Sequence, residues 1–249
     1  MRLRQLAFLL FLAPAAGGAL PAPDPPAPPP PPPPPLWAGK AELAYAATSG
    51  NSTTSSLGAG LDVAYRPAPW TVEVRFGYLR ASAAHIVTAE SLAGAIKGSR
   101  DLTPKVDAFV QAGYQRNTFS GIDRRMGADA GAGYKLIQRP DLLFRTEAAL
   151  GYTNESRTNG TKLNYATARG ALKLVWKFSK SADFTEEGSF TEDLSHTANW
   201  IFRNVASVSA SMTSLFSLKL SYGLVYANEP VPGFKKTDTV TSAAVVAKF

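Results

Sequence analysis

Apolar and polar residues alternate with a period of two over most of the chain after residue 36. One example is the segment in which Trp70, Val72 and Val74 alternate with Thr71 and Glu73. Successive side chains of a β-strand point to opposite faces, so this alternation predicts strands with one apolar and one polar face. Followed along the chain, the pattern predicts about twelve strands, near residues 37–48, 54–66, 70–82, 88–100, 105–117, 123–137, 142–154, 163–178, 182–194, 200–213, 215–227 and 238–249.

The predicted strands are long, and their connections differ in length from one side to the other. Each strand has about 11 to 16 residues, which suits a strand that crosses a membrane at a tilt. Connections near 67–69 and 139–141 are short, whereas those near 155–162 and 228–237 are longer and more polar. This asymmetry and an even strand count are typical of bacterial outer-membrane barrels. We therefore predict an all-β fold, a transmembrane antiparallel up-and-down β-barrel of about twelve strands over residues 37–249. A soluble β-sandwich or a lipocalin-like barrel is the alternative.

Prolines and aromatic residues fit the same prediction. Every proline after residue 36 falls in a predicted connection, as expected because proline lacks the N–H that a strand ladder needs. Aromatic residues collect near both ends of the predicted strands on the apolar face, where barrels carry them at the lipid–water boundaries. The group at the outer ends is Tyr45, Tyr78, Tyr114, Tyr152 and Tyr226, and the group at the opposite ends is Trp37, Tyr65, Trp70, Tyr134, Trp176, Phe184, Phe216 and Phe249.

One segment conflicts with the alternation. Between Phe184 and Phe190, a strict period of two turns Glu186 toward lipid, where a charge is costly. We expect a β-bulge or a shifted strand boundary there.

Two segments precede the predicted barrel. Residues 1–19 have a basic start, a short apolar run and small residues at Gly17 and Ala19, which together predict a signal peptide cleaved after Ala19. Residues 20–36 are rich in proline and predict an extended periplasmic linker. A docking site for a periplasmic partner is the alternative role of this linker.

Composition narrows the functional classes. Cysteine is absent, which excludes disulfides, a lipoprotein anchor and cysteine-based metal sites. The formal net charge is +7, but the cations are spread over the strands instead of forming a patch, which argues against nucleic-acid binding. We expect the bacterial cell outer membrane as the location, a monomer as the assembly, no cofactor, and outer-membrane lipids and lipopolysaccharide as partners.

The last predicted strand carries a recognition signal. Phe249, Ala247 and Val245 lie on one face of it. An aromatic residue closing such a strand resembles the signal by which the barrel-assembly machinery recognises outer-membrane barrels, so we expect that machinery as a further partner.

Short motifs in the predicted loops resemble those of a known family. They are Thr48-Ser-Gly-Asn-Ser-Thr53, Asn228-Glu-Pro-Val-Pro-Gly233 and Lys236-Thr-Asp-Thr239, together with the final aromatic residue. With these motifs, residues 37–249 resemble the YdiY-like family of salt-induced outer-membrane proteins, a family of unknown function. The resemblance implies an outer-membrane barrel with a role in envelope integrity under osmotic stress, and it brings no catalytic residues.

The inward face of the predicted barrel holds the candidate functional residues. Both charge signs occur there, and the candidates for lumen lining are Lys40, Glu42, Asp62, Glu73, Arg75, Lys97, Asp107, Arg125, Asp129, Arg145, Glu147, Arg169 and Lys173. Buried charges must be paired or solvated, so one prediction is a salt-bridged plug in a structural protein. The alternative is a narrow wet lumen with a net positive lining, which would conduct small anions.

An enzyme is the weakest functional alternative. The two histidines are His85 and His196, and the sequence Ser195-His196 with Asn199 nearby invites comparison with the Ser-His-Asn centre of the outer-membrane phospholipase. Adjacent strand residues point to opposite faces, which separates a nucleophile from its base. We therefore predict no lipid hydrolase, and no catalytic, cofactor-binding or metal-binding residues.

Overall fold

The computed structural model describes residues 35–49, 54–83 and 86–249. Over these ranges the chain forms twelve β-strands and one short 3-10 helix, which confirms the predicted fold class. The predicted signal peptide and almost all of the linker lie outside the described residues and stay predictions. The strands are β1 (Trp37–Ser49), β2 (Thr54–Tyr65), β3 (Trp70–Ala83), β4 (Ile86–Asp101), β5 (Val106–Asn117), β6 (Ile122–Gln138), β7 (Leu142–Arg157), β8 (Lys162–Trp176), β9 (Ala182–Asp193), β10 (Trp200–Ser211), β11 (Phe216–Ala227) and β12 (Thr237–Lys248).

The sheet is closed. Each strand pairs antiparallel with the strands before and after it in sequence, and β1 pairs with β12, for example Leu43 with Val245. Every strand therefore has two hydrogen-bonded neighbours. In a bilayer the backbone N–H and C=O groups must be satisfied within the protein, and a closed ladder meets that condition. We call the end with the β7–β8 and β11–β12 connections the outer end, since bacterial barrels carry their longer loops outside the cell.

Large apolar side chains lie on the outside of the barrel, and its buried carboxylates lie inside. Leu43 and Leu150 are 74% and 66% exposed, whereas the carboxylates Asp107 and Glu155 are 2% and 0% exposed. This is the inverse of a water-soluble protein and is what a lipid-facing surface requires. None of the helical structure in the described ranges is long and apolar enough to cross a membrane.

Aromatic pairs mark both ends of the cylinder. At the inner end Trp37 stacks on Tyr65 with ring centroids 4.3 Å apart. At the outer end Trp200 lies 5.1 Å from Tyr226 and 5.4 Å from Phe190. Aromatic residues therefore occupy the levels at which the sequence placed the two lipid–water boundaries.

The prediction of a β-bulge or a shifted strand boundary near Glu186 is wrong. The register of β9 against β10 runs without a shift through Glu186, which lies opposite Ala206. Glu186 thus keeps its outward orientation, and its carboxylate accepts a hydrogen bond from Asn204 Nδ2 at 3.0 Å. The neighbouring strand supplies a donor on the same face, so β9 does not need to deform. Register shifts occur instead between Ala81/Ser82, Gln115/Asn117, Ile122/Arg124 and Lys135/Ile137.

Candidate functional site: the lumen and its outer mouth

Glu147 is the centre of an ion-pair network on one side of the lumen. Its carboxylate pairs with Lys97, with Arg145 Nη2 at 3.1 Å and with Arg169 Nη2 at 3.3 Å. These side chains are only 14% to 19% exposed. Three of the predicted lumen cations therefore converge on one predicted lumen carboxylate, and this side of the lumen is packed with paired charges.

Two further inward residues, Asp107 and Phe109, complete this packed side. Asp107 Oδ2 accepts a hydrogen bond from Arg145 Nη2 at 2.6 Å. The ring of Phe109 lies under Lys97 Nζ at 4.1 Å and under Arg169 at 5.5 Å, a favourable placement for cations over an aromatic face. Phe109 is not among the predicted lining residues, although it shares the strand parity of Asp107. Arg169 is also 3.1 Å from Asp129.

A second group bridges the lumen from wall to wall. Arg75 on β3 and Glu187 on β9 lie on strands that are six positions apart in the closed order, and their side chains meet at 3.0 Å. Lys173 Nζ binds the other oxygen of Glu187 at 2.6 Å, and Asp62 lies 4.0 Å from Arg75. Arg75 and Glu187 are 45% and 36% exposed, so this bridge crosses a wet part of the lumen.

The remaining predicted lining residues are distributed along the inner wall. Glu42 binds Lys219 Nζ at 2.8 Å, whereas Lys40 and Glu73 take part in none of the ion pairs between described residues. The strand parity also turns several unpredicted carboxylates inward, namely Asp101, Glu155, Asp183 and Asp193. With them, the inward cations and carboxylates are nearly balanced, so the lining as a whole is less positive than the sequence analysis expected.

Positive charge is in excess at the outer mouth. Glu155 is fully buried and accepts hydrogen bonds from Arg125 Nε at 2.8 Å, Arg157 Nε at 2.7 Å and Tyr165 Oη at 3.0 Å. Arg203 Nη2 donates to the neutral Gln115 Oε1 at 3.3 Å and forms no ion pair with the carboxylates of the described residues. We call Arg125, Arg157 and Arg203 the outer-mouth arginine cluster. Its three cations have one carboxylate among them, Glu155, which pairs with Arg125 and Arg157. Arg125 is among the predicted lining residues but Arg157 is not, because the predicted strand ends at residue 154 whereas β7 extends to Arg157.

The β11–β12 connection covers this cluster. Val231 in that connection is 2% exposed, and the Phe234 ring packs against Gly121, where an added Cβ would lie 2.6 Å from the ring. Gly121 has a φ of 75°, a left-handed conformation that glycine adopts without strain. A small cavity remains beneath the connection, lined by the outer-mouth arginine cluster together with polar residues that include Gln115, Asn117 and Asn199. The connection and the start of β12 add four charged residues to this lining, Glu229, Lys235, Lys236 and Asp238.

Ser195, His196 and Asn199, the residues of the enzyme alternative, lie in the connection between β9 and β10. Ser195 Oγ donates to Asp193 Oδ1 at 2.5 Å, and Asn199 Nδ2 donates to Asp193 Oδ2 at 3.2 Å. His196 Nε2 lies 2.8 Å from Glu229 of the next outer connection. Ser195 is thus bonded to a carboxylate and not to His196, and local bonds of this kind stabilise loops. His85 lies outside the described residues.

Comparisons with known proteins agree with this architecture. The chain matches the NanC porin structure with a TM-score of 0.59 and 12% identity, covering 84% of this chain and 100% of that one. It matches an outer membrane channel from Pseudomonas putida F1 with a TM-score of 0.56 and 11% identity, covering 86% of this chain and 96% of that one. At these identities the likeness shows the fold, that of bacterial outer-membrane barrels. No curated protein sequence matches the chain.

A family assignment follows from the sequence itself. The family described as "Protein of unknown function, DUF481" matches residues 41–249, nearly the whole barrel. The resemblance to YdiY-like proteins is consistent with this match. The chain therefore belongs to the DUF481 family, and its described part is a closed twelve-stranded barrel of the outer-membrane type.

Proposed function

We propose that this outer-membrane barrel forms a narrow path for small anions, entered through the outer-mouth arginine cluster. The observation that carries the proposal is Arg203, a guanidinium inside the barrel that donates a hydrogen bond to the neutral amide of Gln115. Arg125 and Arg157 share Glu155. Lys235 and Lys236 equal in number the other two carboxylates around the cavity, Glu229 and Asp238, so two positive charges are left over at the entrance. Unbalanced cations in a confined mouth attract anions and lower the cost of removing their water.

The bridge between Arg75 and Glu187 is the constriction of this proposed path. Ion pairs between well-solvated side chains contribute only about 0–1 kcal/mol, because water and salt screen them. Both side chains of this bridge are well exposed within the lumen. The bridge can therefore open and close without any change in the strand ladder, and small conductance steps are the expected behaviour.

Planar-bilayer recordings of the purified protein test the proposal. In a salt gradient we expect anion-selective steps, a larger step size in Arg75→Ala, and a reversal potential shifted toward zero in Arg203→Gln. Arg100→Gln is the matched control, because Arg100 points outward at the inner end and stacks over Trp70. A silent wild type together with a silent Arg75→Ala variant would contradict conduction. A reversal potential unchanged in Arg203→Gln would contradict the role of the cluster.

A structural role in the envelope is the second candidate function. The packed network around Glu147 favours it, since paired and poorly exposed charges fill one side of the lumen. The YdiY-like resemblance points to envelope integrity under osmotic stress. This function predicts silent bilayers together with leakage of periplasmic protein from a deletion strain after osmotic shock. The hydrolase alternative would instead require phospholipid cleavage that is lost in His196→Ala.

The proposed setting is the bacterial outer membrane. We propose outer-membrane lipids, lipopolysaccharide and the barrel-assembly machinery as partners of a monomer without cofactor. The porin and channel folds of the two solved structures support this location.

A further inference from the structure

A basic pocket lies on the lipid-facing side of the barrel, separate from the lumen. Arg124 on β6, Ser156 on β7 and Lys162 on β8 stand side by side, because the register places Arg124 opposite Ser156 and Ser156 opposite Lys162. Arg125 points inward to Glu155, so its neighbour Arg124 points outward. The same parity turns Lys162 outward, since Tyr165 faces Glu155. We call Arg116, Arg124, Ser156 and Lys162 the outer basic belt.

This belt lines a surface concavity and has positive charge to spare. The concavity has a volume of about 440 Å³, and Tyr114, Asp123 and Gly160 complete its wall with the belt and Arg157. Arg124 and Lys162 are both exposed, and neither forms an ion pair with another described residue. Asp123 and Glu90 are the nearby carboxylates, and both are paired with Arg116, at 3.9 Å and 3.4 Å. Arg157 is neutralised by Glu155.

Below the belt the outward surface becomes apolar after one polar pair, Asn154 on β7 opposite Asn164 on β8, whose side chains are hydrogen-bonded to each other. Tyr114 lies opposite Met126, and Met126, Leu150 and Tyr152 are exposed on the same outward face, closer to the middle of the strands. Tyrosine at this level marks the boundary between lipid chains and headgroups. The outer basic belt therefore stands at headgroup height, directly above a surface that acyl chains can cover.

We propose that the outer basic belt binds the phosphate group of a phosphorylated glycolipid of the outer leaflet. Arg124 and Lys162 lie about 10 Å apart at their backbones, two strand spacings, with the Ser156 hydroxyl between them. Long cationic side chains at that separation close on one phosphate, which accepts charge-assisted hydrogen bonds from both. The acyl chains of the same lipid then run along Met126, Leu150 and Tyr152. A free phosphate ion would use the belt but not this apolar surface.

The test is native mass spectrometry of the full-length barrel in zwitterionic detergent, titrated with diphosphorylated lipid A. The double variant Arg124→Gln/Lys162→Gln should bind about thirtyfold more weakly, because two cations near a membrane surface at about 1 kcal/mol each contribute about 2 kcal/mol. Arg124→Lys/Lys162→Arg should bind like the wild type, which separates charge from misfolding. Arg100→Gln, an outward cation at the inner end, should also leave binding unchanged.

Three results would overturn this inference. The first is lipid A binding that is unchanged in the double glutamine variant or equally weakened in Arg100→Gln. The second is dephosphorylated lipid A binding as tightly as the diphosphorylated form. The third is inorganic phosphate that displaces lipid A at equal concentration, which would make the pocket a site for free anions. The inference rests on the proposed outer-membrane location and lipopolysaccharide partner, and none of these measurements depends on conduction through the lumen.

Discussion

A single hydrogen bond explains how a carboxylate is tolerated on the lipid-facing side. Glu186 lies between Phe184 and Phe190 on the outward face of β9, within the apolar part of the wall. Its bond from Asn204 replaces one that water would otherwise supply. Charged side chains on this face cost free energy that depends on depth. The pair therefore behaves as one polar unit, and each member depends on the other.

Removing the donor Asn204 alone should destabilise the barrel more than removing both Asn204 and the Glu186 carboxylate. We expect Asn204→Leu to lower the free energy of unfolding by about 1–3 kcal/mol, because it leaves a carboxylate without its partner in lipid. The double variant Glu186→Leu/Asn204→Leu should regain most of that loss. Urea titration of the barrel refolded in lipid vesicles measures both values. Equal unfolding midpoints for wild type and Asn204→Leu would show that the hydrogen bond between Asn204 and Glu186 does not stabilise the barrel.

Asp107 gives the corresponding case inside the lumen. It is almost fully buried, and Arg145 is its partner at 2.6 Å. Arg145→Leu should lower the free energy of unfolding by about 3–5 kcal/mol, the usual cost of breaking a buried pair by removing one partner. Lys40→Leu is the control, since Lys40 is exposed and outside the ion pairs of the described residues, and a change within about 0.5 kcal/mol is expected. The same urea titrations measure the free energy of unfolding of both variants. Similar decreases in Arg145→Leu and Lys40→Leu would show that burial of the ion pair does not matter.

At the scale of elements, β6 and β7 approach each other closely at a glycine. Gly131 lies opposite Ala149, and a Cβ added at Gly131 would overlap the Ala148 carbonyl oxygen and the Ala149 backbone. Gly77 on β3 is also inward, yet an added Cβ there meets nothing within 4 Å. The two glycines thus separate a packing requirement from the general cost of replacing glycine in a strand.

Gly131→Ala should destabilise the β6–β7 ladder, whereas Gly77→Ala should not. We expect a loss of about 1–3 kcal/mol for the first, because the strands must move apart to admit the methyl group. The measurement is the temperature at which the compact band of the unheated barrel disappears on a denaturing gel. A drop in that temperature for Gly131→Ala alone is the expected result, and equal temperatures for both variants would contradict it.

The strands were predictable because the lipid-facing side of a barrel strand requires an apolar side chain at every second residue. That requirement repeats along each strand, so the alternation alone locates β1 to β12 and the inward parity of residues such as Arg75 and Glu147. It does not determine which inward residues meet. Arg75 and Glu187 are 112 residues apart, and their contact depends on the stagger of six successive strand pairings. The bulge predicted at Glu186 failed for a similar reason, since its remedy lies on the neighbouring strand β10.

At the scale of the whole molecule, the outer end of the barrel carries basic groups on both faces of the wall. The outer-mouth arginine cluster faces the lumen, and the outer basic belt faces lipid, with the same strands β6 and β7 contributing to each. Alternation along one strand places Arg124 outside and Arg125 inside. Two neighbouring residues can therefore serve a lipid and a solute without competing for the same charge partner.

Closure of the cylinder depends on a contact between Phe249 and Gly39. Their backbones exchange two hydrogen bonds, Gly39 N to Phe249 O at 2.7 Å and Phe249 N to Gly39 O at 3.0 Å. The Phe249 ring also fills the space that a side chain at position 39 would occupy. The β1–β12 pairing next to this contact joins the strands farthest apart in sequence, so its loss would open an edge with unpaired backbone groups.

Deletion of Phe249 and the substitution Gly39→Val should each weaken this seam. We expect a several-fold smaller fraction of compact, heat-modifiable barrel after refolding in detergent micelles, where no assembly machinery is present. Gly98→Val is the control, because an added Cβ at Gly98 meets nothing within 4 Å. If Phe249 acts only as a recognition residue for the machinery, its deletion will leave refolding in micelles unchanged and reduce assembly in cells. Impaired refolding of both seam variants, with Gly98→Val folding normally, would instead identify the contact as part of the barrel's own closure.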